Sequence, residues 1–441
     1  PFFKPKVSHL NQSPVFYSCQ QPFVLWHWTA NRLLVLTNYT YYGITYNFLP
    51  TWQQLLHCFF IQNIGFYMLQ KYFCKRYISS LKSVTFYFSS LHGKLSKALR
   101  VTLFLFLTLY LHGCGSEPDQ KPLVTIRGTT MGTTYNVSIK HHDAERLRQT
   151  VHKEIKTILD TVNLEMSNWD KSSSISKFNN LKKTVPIPIT ASLAKILREA
   201  NKVHDQSEGA FDVTLMPLTD IWGFGKKNLK KVPSEQEIET ALKSVGQKNL
   251  LVLDQKRLTL RKKIDNASVD LSGIAKGFAI DKISDSLKAR GISDFLVEIG
   301  GDLYASGEKG PKSPWVIGIE KPDQRLGEVN IIIRITNKAV ATSGDYRNFF
   351  EKDSRRYSHI INPKTGQPIS HQTASVTVVA DNAMNADAWA TAMMVLGAKK
   401  GLVIAEKNKL AVFFISRKGA IFESVSSTHF NDVVLNNKVS E

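Results

Sequence analysis

Beyond residue 122, the sequence mixes strand patterns and helix patterns without the regular alternation of a βαβ fold, and this mixture most limits the possible architecture. Leu123–Lys140 alternates β-branched and polar residues around two glycines, which predicts a pair of strands or a hairpin. Ala144–Val162 repeats apolar residues at helical spacing. We therefore predict an α+β fold with mixed strands and helices. The roughly 310 residues are enough for a large core or for two lobes with a cleft.

The remaining periodic segments follow the same two patterns, and each assignment is a prediction. The predicted helices are Ala144–Val162, Leu193–His204, Glu235–Val245, the segment after Asp270 through Leu287, and Met384–Leu396. Ser167–Asn180 is polar and is predicted to end in a loop. Beyond the first strand pair, the predicted strands and hairpins are Gly209–Thr214, Leu250–Leu260, Phe295–Ile299, Val316–Glu320, Val329–Ile335, Ala339–Ser343, Ser375–Val379, and Ala411–Ser416 with Ala420–Glu423.

The N-terminal quarter differs sharply in charge from the rest of the chain. Residues 1–116 contain no Asp or Glu against ten Lys or Arg, so they carry half of the formal net charge of +20. Segment 1–93 is crowded with aromatic residues and shows no clear amphipathic period, which favours a non-native or over-extended N-terminal segment. Additional membrane segments are the alternative. No Arg/Lys run with interleaved aromatic residues is present, which argues against a nucleic-acid partner.

Residues 94–113 have the pattern of a secretory signal peptide. Basic residues precede the apolar run Val101–Leu111, and a small residue stands directly before Cys114. This arrangement resembles a bacterial lipobox and predicts a lipidated Cys114 followed by a tether over 114–122; a chance cysteine is the alternative. No cysteine follows Cys114, so chemistry beyond it must come from carboxylates, hydroxyls, histidine and a bound cofactor.

Small residues surround one lysine in Val269–Asp281, and Glu298–Asp302 follows shortly after. We interpret the first segment as the place where a strand gives way to a helix. The first turn of a helix presents free N–H groups to an anion, and small residues let a ligand approach the backbone. Lys276 would then meet a phosphate group. The alternative is that these small residues only mark the boundary between a loop and a helix.

Three further motifs could line a binding site for a flat aromatic ligand, although each also has a purely structural explanation. Met131 lies in Thr129–Tyr135 beside a glycine, and Trp169 lies in a polar segment where an aromatic ring often stacks on a ligand. Asp212 lies in a glycine-rich segment, where its carboxylate could accept hydrogen bonds from a ring N–H or a ribose, or cap a turn.

A candidate metal site and a candidate base lie towards the C-terminus. Asp387 and Thr391 are four residues apart on a predicted helix, so both oxygens face one way. A carboxylate with a hydroxyl suits Mg²⁺; the alternative is that Asp387 only complements the helix dipole. His359 lies between strand-like residues and a Pro/Gly turn, where loops carry function, although a lone histidine is more often structural.

Taken in order, these motifs resemble one family. The array reads TMGTTY, MSNWD, GAFDVT, DLSGIAKG, EIGGD, TSGDYR, SHIINP and ADAWATA, and it spans about Leu123 to Phe422. It is similar to the ApbE family of FAD:protein FMN transferases. The resemblance implies a flavin transferase domain over 123–430, with FAD in a cleft between two lobes. It does not extend to segment 1–93.

The resemblance also implies site residues. The implied FAD contacts are Met131, Trp169 where tyrosine is common, Ala210, Phe211, Asp212, Asp270, Lys276 and Ile361. The implied Mg²⁺ ligands are a backbone oxygen of Gly273 and the side chains of Asp387 and Thr391. The chain departs from the family in two places: Ala390 stands where some relatives have an Asp, and Asn362 replaces the Asp of an Ile-Asp-Pro loop.

The implied reaction is Mg²⁺-dependent transfer of the FMN part of FAD to a Thr or Ser hydroxyl of an acceptor flavoprotein, with release of AMP. A membrane redox-pump subunit is the kind of acceptor expected. We predict His359 as the general base, with Asp302 as the second candidate, and Lys276 as the group that stabilises phosphate charge. Hydrolysis of FAD to FMN and AMP, or flavin binding without turnover, remain alternatives. The expected location is the periplasmic side of the cell membrane, through the lipid anchor.

Overall fold

A computed structural model of the protein describes residues 121–225, 231–310, 312–323, 328–346, 348–353, 355–419 and 421–435. Segment 1–93, the signal peptide 94–113 and Cys114 lie outside the described residues. The assignments made for them therefore stay predictions.

The described chain contains both strands and helices. In chain order, the strands are β1 (Leu123–Thr130), β2 (Thr133–Lys140), β3 (Ile187–Pro188), β4 (Leu251–Asp254), β5 (Thr259–Lys262), β6 (Asp294–Ile299), β7 (Asp302–Ser306), β8 (Trp315–Glu320), β9 (Val329–Ile335), β10 (Lys338–Gly344), β11 (Phe349–Lys352), β12 (Arg355–Ser358), β13 (Thr373–Ala380), β14 (Ala411–Lys418) and β15 (Ile421–Ser426). The helices are α1 (Ala144–Met166), α2 (Ser174–Asn180), α3 (Ala191–Gln206), α4 (Met216–Ile221), α5 (Glu235–Leu242), α6 (Gln247–Leu250), α7 (Ala275–Ala289), α8 (Ala383–Lys407) and α9 (Thr428–Leu435).

A central sheet organises these elements. Its eight strands run in the order β1-β2-β6-β7-β10-β13-β14-β15, and every neighbouring pair is antiparallel. Side chains along a strand alternate between the two faces. In β10, Ala339 and Ala341 face the cluster that includes α1, α3, α7 and α8, whereas Val340 faces the hairpin β8–β9 and α9. The sheet is therefore covered on both faces, and the α+β prediction is confirmed.

A third, smaller apolar cluster is separate from the two clusters that cover the faces of the sheet. It brings α4 and α5 together with the hairpin β11–β12, through buried side chains of Leu218, Trp222, Ile238 and Phe350. Tyr357 stacks on Phe350 with ring centroids 5.1 Å apart. The division of the molecule into two lobes with a cleft stays a prediction.

Three sequence assignments were wrong. Gly209–Thr214 is a series of turns and not a strand, because the Ser207 hydroxyl accepts the Phe211 N–H and the Asp212 carboxylate accepts the Thr214 N–H. Ser167–Asn180 contains α2, which begins after the capping side chain of Ser173. The residues before α7 are irregular and not a strand.

Several elements were not predicted at all. The strand β7, the hairpin β11–β12 and the terminal helix α9 had no assignment, and α8 continues beyond Leu396 to Lys407. This helix is interrupted at Gly397, whose φ of 70° is not helical. By length and composition, α8 is also apolar enough to cross a membrane, the one such helix among the described residues. Most of its N-terminal half is buried against the sheet and α7, which is the environment of a core helix.

Candidate active site

Two long helices meet at their N-termini and build the centre of the candidate site. The Asp387 carboxylate, on α8, accepts the Gly277 N–H in the first turn of α7 at 3.0 Å. In return, Asp281 on α7 accepts the Ala383 and Met384 N–H groups in the first turn of α8, at 2.7 and 3.0 Å. The first N–H groups of a helix have no partner within it, and carboxylates complement its positive end. Each helix therefore caps the other.

Gly277 makes this crossing possible. A methyl group on Gly277 would collide with the Ala383 carbonyl and would lie 2.7 Å from the Met384 Cα. We expect Gly277→Ala to lower the free energy of unfolding by about 1–3 kcal/mol or more, because backbone cannot move aside as a flexible side chain can. Thermal unfolding would measure this. Gly310→Ala is the matched control, since its methyl group would meet nothing closer than Ser313 Cβ at 3.4 Å. Equal melting temperatures for both variants would contradict the packing argument.

A lysine and two carboxylates form a buried cluster at this crossing. The Lys276 ammonium lies 2.5 Å from Asp302 Oδ2 and 3.2 Å from Asp387 Oδ1. The other oxygen of Asp302 accepts the Thr342 N–H of β10 at 3.1 Å. The Lys276 side chain is 29% exposed, whereas that of Asp302 is only 3% exposed. The cluster thus joins α7, β7, β10 and α8.

The protonation states in the cluster follow from burial and mutual charge. Burial alone lowers the pKa of Lys276, but Asp302 and Asp387 outweigh it and hold this pKa above its usual range. Burial raises the pKa of Asp302 to about 6 despite the charge of Lys276, and repulsion from Asp387 adds to the rise. Lys276 therefore stays protonated, and with both carboxylates ionised the cluster carries one negative charge in excess. An excess of this sign favours a bound cation.

The three predicted metal ligands come together beside this cluster. A methyl group on Gly273 would lie 3.0 Å from the Thr391 Oγ1, so the Gly273 backbone and this hydroxyl are neighbours. Thr391 lies one helical turn after Asp387 on α8. Carboxylate, hydroxyl and backbone oxygens are the donors that Mg²⁺ prefers, so the donor set fits this ion. Among the described residues, no group of three or more His, Cys, Asp or Glu side chains forms a metal cluster.

Two predicted flavin-contact residues lie in loops joined by a hydrogen bond. The Asn168 amide donates to Asp270 Oδ1 at 2.9 Å, and the Ser272 N–H donates to the same oxygen at 2.9 Å. Within the described structure, Asp270 Oδ2 has no hydrogen-bond partner and can accept one from a ligand. Trp169, next to Asn168, is 70% exposed. A free acceptor beside an exposed indole suits a heteroaromatic ring.

The predicted residues Ala210, Phe211 and Asp212 lie in the turn before α4. Ala210 and Phe211 are buried, and a methyl group on Gly273 would lie 3.4 Å from the Phe211 ring. The Asp212 carboxylate is already occupied. It accepts from the Thr214 N–H at 2.7 Å, from the Thr214 hydroxyl, and from the Gln247 N–H at 3.0 Å. This carboxylate orders the turn, whereas Asp270 has the free oxygen.

Met131 lies at the tip of the first hairpin. Met131 and Gly132 have φ of 49° and 74°, as the two central residues of a two-residue hairpin turn require. The hairpin tip lies beside the β6–β7 turn, because the Gly300 N–H donates to the Thr134 carbonyl at 3.0 Å. That turn leads directly into Asp302. Half-buried Met131 is thereby held near the end of β7 that carries the cluster.

His359 and Ile361 lie after β12, in the region of the smaller apolar cluster. His359 Nδ1 lies 2.8 Å from the Asn348 carbonyl oxygen, which can only accept, so Nδ1 carries the hydrogen. In the neutral ring, Nε2 is then an acceptor. Ile361 is 2% exposed and packs in that cluster. Among the described residues, no hydrogen bond joins His359 to Lys276, Asp302 or Asp387. The two regions are linked through β10, which carries Thr342 and ends just before Asp345.

Residues that the sequence analysis did not assign also take part. Thr342 and Asn168 bind the carboxylates of Asp302 and Asp270, and both stand inside motifs that were noted for other residues. Asn168 could have been found from its polar side chain, whereas Thr342 donates its backbone N–H and is marked only by its position within the motif. Asp302, named only as the second candidate base, is a member of the central cluster.

Comparisons with known proteins identify the family of this chain. The ApbE family pattern matches residues 131–414. An FAD:protein FMN transferase of Haemophilus influenzae is 40% identical over 344 residues, which are 76% of this chain and 98% of that protein. The one of Vibrio cholerae is 38% identical over 323 residues, 73% of this chain and 95% of that protein.

Solved structures give the same result. The flavin transferase ApbE of Vibrio cholerae superposes with a TM-score of 0.65 at 37% identity, covering 71% of this chain and all of that one. The apo form of the flavinyl transferase ApbE from Pseudomonas stutzeri gives a TM-score of 0.67 at 37% identity, covering 72% and 98%. Since the family pattern covers residues 131–414 and a relative covered over 98% of its length is 40% identical, this chain belongs to the ApbE family.

Proposed function

We propose that the protein transfers the FMN part of FAD to a Thr or Ser hydroxyl of an acceptor flavoprotein, with Mg²⁺ bound and AMP released. The observation that carries this proposal is the buried cluster of Lys276, Asp302 and Asp387 beside Gly273 and Thr391. The cluster combines a fixed cation with oxygen donors for a metal, which is what a pyrophosphate substrate needs. The names of the curated relatives support the same activity.

The metal would be held by Asp387, Thr391 and the Gly273 backbone. Bound there, Mg²⁺ would supply Lewis-acid stabilisation of the pyrophosphate oxygens. Lys276 stays charged beside it and contributes a second positive group to the phosphate. Because Lys276 is anchored by two carboxylates, its ammonium is oriented before substrate arrives and needs little reorganisation.

The transfer itself moves one proton and exchanges one P–O bond. The hydroxyl oxygen of the acceptor attacks the phosphorus of the FMN phosphate, the bond to the AMP oxygen breaks, and AMP leaves with that electron pair. Nε2 of His359 takes the hydroxyl proton. The hydrogen bond from Nδ1–H to the Asn348 carbonyl supports this role because it fixes the tautomer in which Nε2 accepts. Asp302 is less suited, since both of its oxygens are already bonded.

For flavin binding, we propose contacts from Met131, Trp169, Asp270 and Ile361 and from the turn of Ala210, Phe211 and Asp212. The free Oδ2 of Asp270 is the acceptor for a flavin N–H or a ribose hydroxyl. The Asp212 carboxylate is expected to act mainly through the shape of its turn, because its oxygens already accept hydrogen bonds from Thr214 and Gln247.

The setting in the cell is a separate proposal. We propose a lipid anchor at Cys114 after cleavage of the signal peptide 94–113, with the domain 123–430 on the periplasmic side of the membrane and segment 1–93 absent from the working protein. The acceptor would then be a membrane-associated flavoprotein, such as a redox-pump subunit. The basic, acid-free N-terminal part with an apolar run before Cys114 supports this proposal.

A mass measurement tests the proposed reaction. The protein is incubated with FAD, Mg²⁺ and a candidate acceptor, and the acceptor is then weighed by mass spectrometry. A gain equal to one FMN phosphoester is expected, and it should be lost when the acceptor hydroxyl is removed by substitution with Ala. Release of free FMN and AMP with no change in acceptor mass would instead favour hydrolysis, and FAD binding without products would favour a flavin-binding protein.

The pH dependence of kcat/KM tests the base. Burial lowers the pKa of His359 below its usual 6.5, and the Asn348 carbonyl and the charge of Asp345 oppose this only in part. An imidazole accepts a proton only in its neutral form, so activity should be lost as pH falls through a midpoint below 6.5. The residual activity of His359→Asn should lack this acidic limb. A limb near pH 6 that survives in His359→Asn would point to Asp302, whose pKa is about 6.

A further inference from the structure

Lys262 is a lysine in a core position. It is the last residue of β5, on the same face as the buried Leu260, and it is 1% exposed. Lysine is almost never fully buried unless paired, and burial of an isolated charge is unfavourable. Among the described residues, no salt bridge joins its ammonium to a carboxylate, and Asp265 acts on it only as a more distant charge. Some specific arrangement must therefore hold it there.

Three backbone carbonyls take the place of a counter-ion. The Lys262 ammonium donates to the carbonyl oxygens of Asn179, Asp265 and Ala267, at 3.2, 2.8 and 3.3 Å. These three bonds use all three of its hydrogens. The ammonium also lies 5.5 Å from the centre of the buried Phe178 ring. Lys262 thus ties the end of α2 to the loop that runs into Val269 and Asp270.

From this point, side-chain amides continue the connection to the proposed flavin contacts. The Asn179 side chain accepts the Val269 N–H at 2.7 Å and donates to the Val269 carbonyl at 2.8 Å. It also donates to the Asn168 side chain at 3.2 Å, and Asn168 in turn donates to Asp270. The path from the ammonium to the Asp270 carboxylate therefore consists of hydrogen bonds and of the covalent bonds within Asn179 and Asn168.

We propose that Lys262 is a positioning residue that fixes the loop of Trp169 and the loop of Asp270 relative to each other for FAD binding. This inference rests on the proposed function, because it takes Trp169 and Asp270 as flavin contacts. An apolar side chain would fill the same space but would leave three carbonyls without this donor, the Asn179 and Asp265 oxygens partly buried and the Ala267 oxygen fully buried. The loops would then relax and the free oxygen of Asp270 would lose its fixed direction.

The substitution Lys262→Met tests the proposal, because Met keeps the stem and removes the ammonium. We expect the Kd for FAD to rise by on the order of 10-fold, the effect expected when a residue orients a binding group without contacting the ligand itself. At saturating FAD, kcat should stay within about threefold, because ground-state binding and not the chemical step is affected. Kd is measured by titration of FAD fluorescence and kcat by the mass assay.

Three further variants separate positioning from a general loss of stability. Phe430→Leu opens a cavity in the cluster on the opposite face of the sheet; it should lower the melting temperature and leave the Kd unchanged. Asn179→Ala should raise the Kd by itself, and its combination with Lys262→Met should be less than additive. If Lys262→Met does not fold, Asn179→Ala alone still tests the connection. Asp270→Ala should raise the Kd directly.

The outcomes are distinct. An unchanged Kd in Lys262→Met or in Asn179→Ala, while Asp270→Ala raises it, would overturn the positioning role and leave the proposed function intact. An equal rise in Phe430→Leu would also overturn it, since the effect would then be one of stability. If wild-type protein binds FAD but Asp270→Ala binds it equally well, the flavin-contact assignment itself is wrong.

Discussion

Asp387→Asn is expected to lower the rate of FMN transfer by at least about 10²–10³-fold, the range found when a single preorganised electrostatic group is removed. Asparagine retains an acceptor oxygen for the Gly277 N–H, which Asp387 accepts at 3.0 Å, so the helix crossing should survive. What is lost is the negative charge that faces Lys276 and the proposed metal. The mass assay gives the rate, and thermal unfolding checks that the protein remains folded.

The matched control is Asp381→Asn. Asp381 is an exposed carboxylate just before the same helix, bonded to Lys338 at 2.6 Å, and its loss should leave transfer unchanged. Addition of EDTA to the wild-type protein should abolish transfer, and excess Mg²⁺ should restore it. A wild-type rate in Asp387→Asn, or in the presence of EDTA, would show that the metal site is wrongly assigned.

His359→Asn is expected to reduce transfer by about 10²–10⁴-fold, the usual contribution of a general base. Asparagine can still donate towards the Asn348 carbonyl, but it has no group that takes a proton near neutral pH. The affinity for FAD should stay within a few-fold of wild type, because the ring is proposed to act on the acceptor hydroxyl. Fluorescence titration measures the affinity.

His429→Asn controls for loss of an imidazole, since His429 is an exposed histidine on α9 with a side-chain exposure of 49%. It should transfer FMN normally. If His359→Asn also transfers at the wild-type rate, the imidazole is structural. The base would then have to be another group, and Asp302 would be tested next by Asp302→Asn.

The regular elements were predictable because their signals are local. The apolar spacing of α1 reflects burial of one helix stripe, and the alternation of β1 and β2 reflects burial of one sheet face, which neighbouring residues along the chain reveal. The strand prediction for Gly209–Thr214 failed because side-chain hydrogen bonds, which the apolar pattern does not reveal, determine its backbone. Its apolar residues resemble a strand, but the backbone N–H groups of Phe211 and Thr214 donate to the side chains of Ser207 and Asp212 instead of to a neighbouring strand.

The sequence predicted which residues belong to the candidate site, but it did not predict which of them contact each other. Lys276, Asp387 and Thr391 stand in recognisable motifs, whereas the pairing of Lys276 with Asp302 depends on a crossing of chain segments that are 26 residues apart. Local pattern also gave no reason to prefer Asp270 over Asp212 as the carboxylate with a free oxygen. Lys262 ends a short strand and looks like a solvated residue, because its acceptors are carbonyls that the sequence does not mark.

The mutual capping of α7 and α8 determines how this part of the molecule unfolds locally. The Gly277 amide of α7 and the Ala383 and Met384 amides of α8 have no acceptor until the other helix, about 100 residues away in sequence, has docked. The two helix starts should therefore form and melt as one cooperative unit, with no populated state in which one is intact alone. In native-state hydrogen exchange, the amides of Gly277, Ala383 and Met384 should share one opening free energy. Since Asp387 and Lys276 belong to the same unit, the proposed cation site would form only in molecules where this unit is closed.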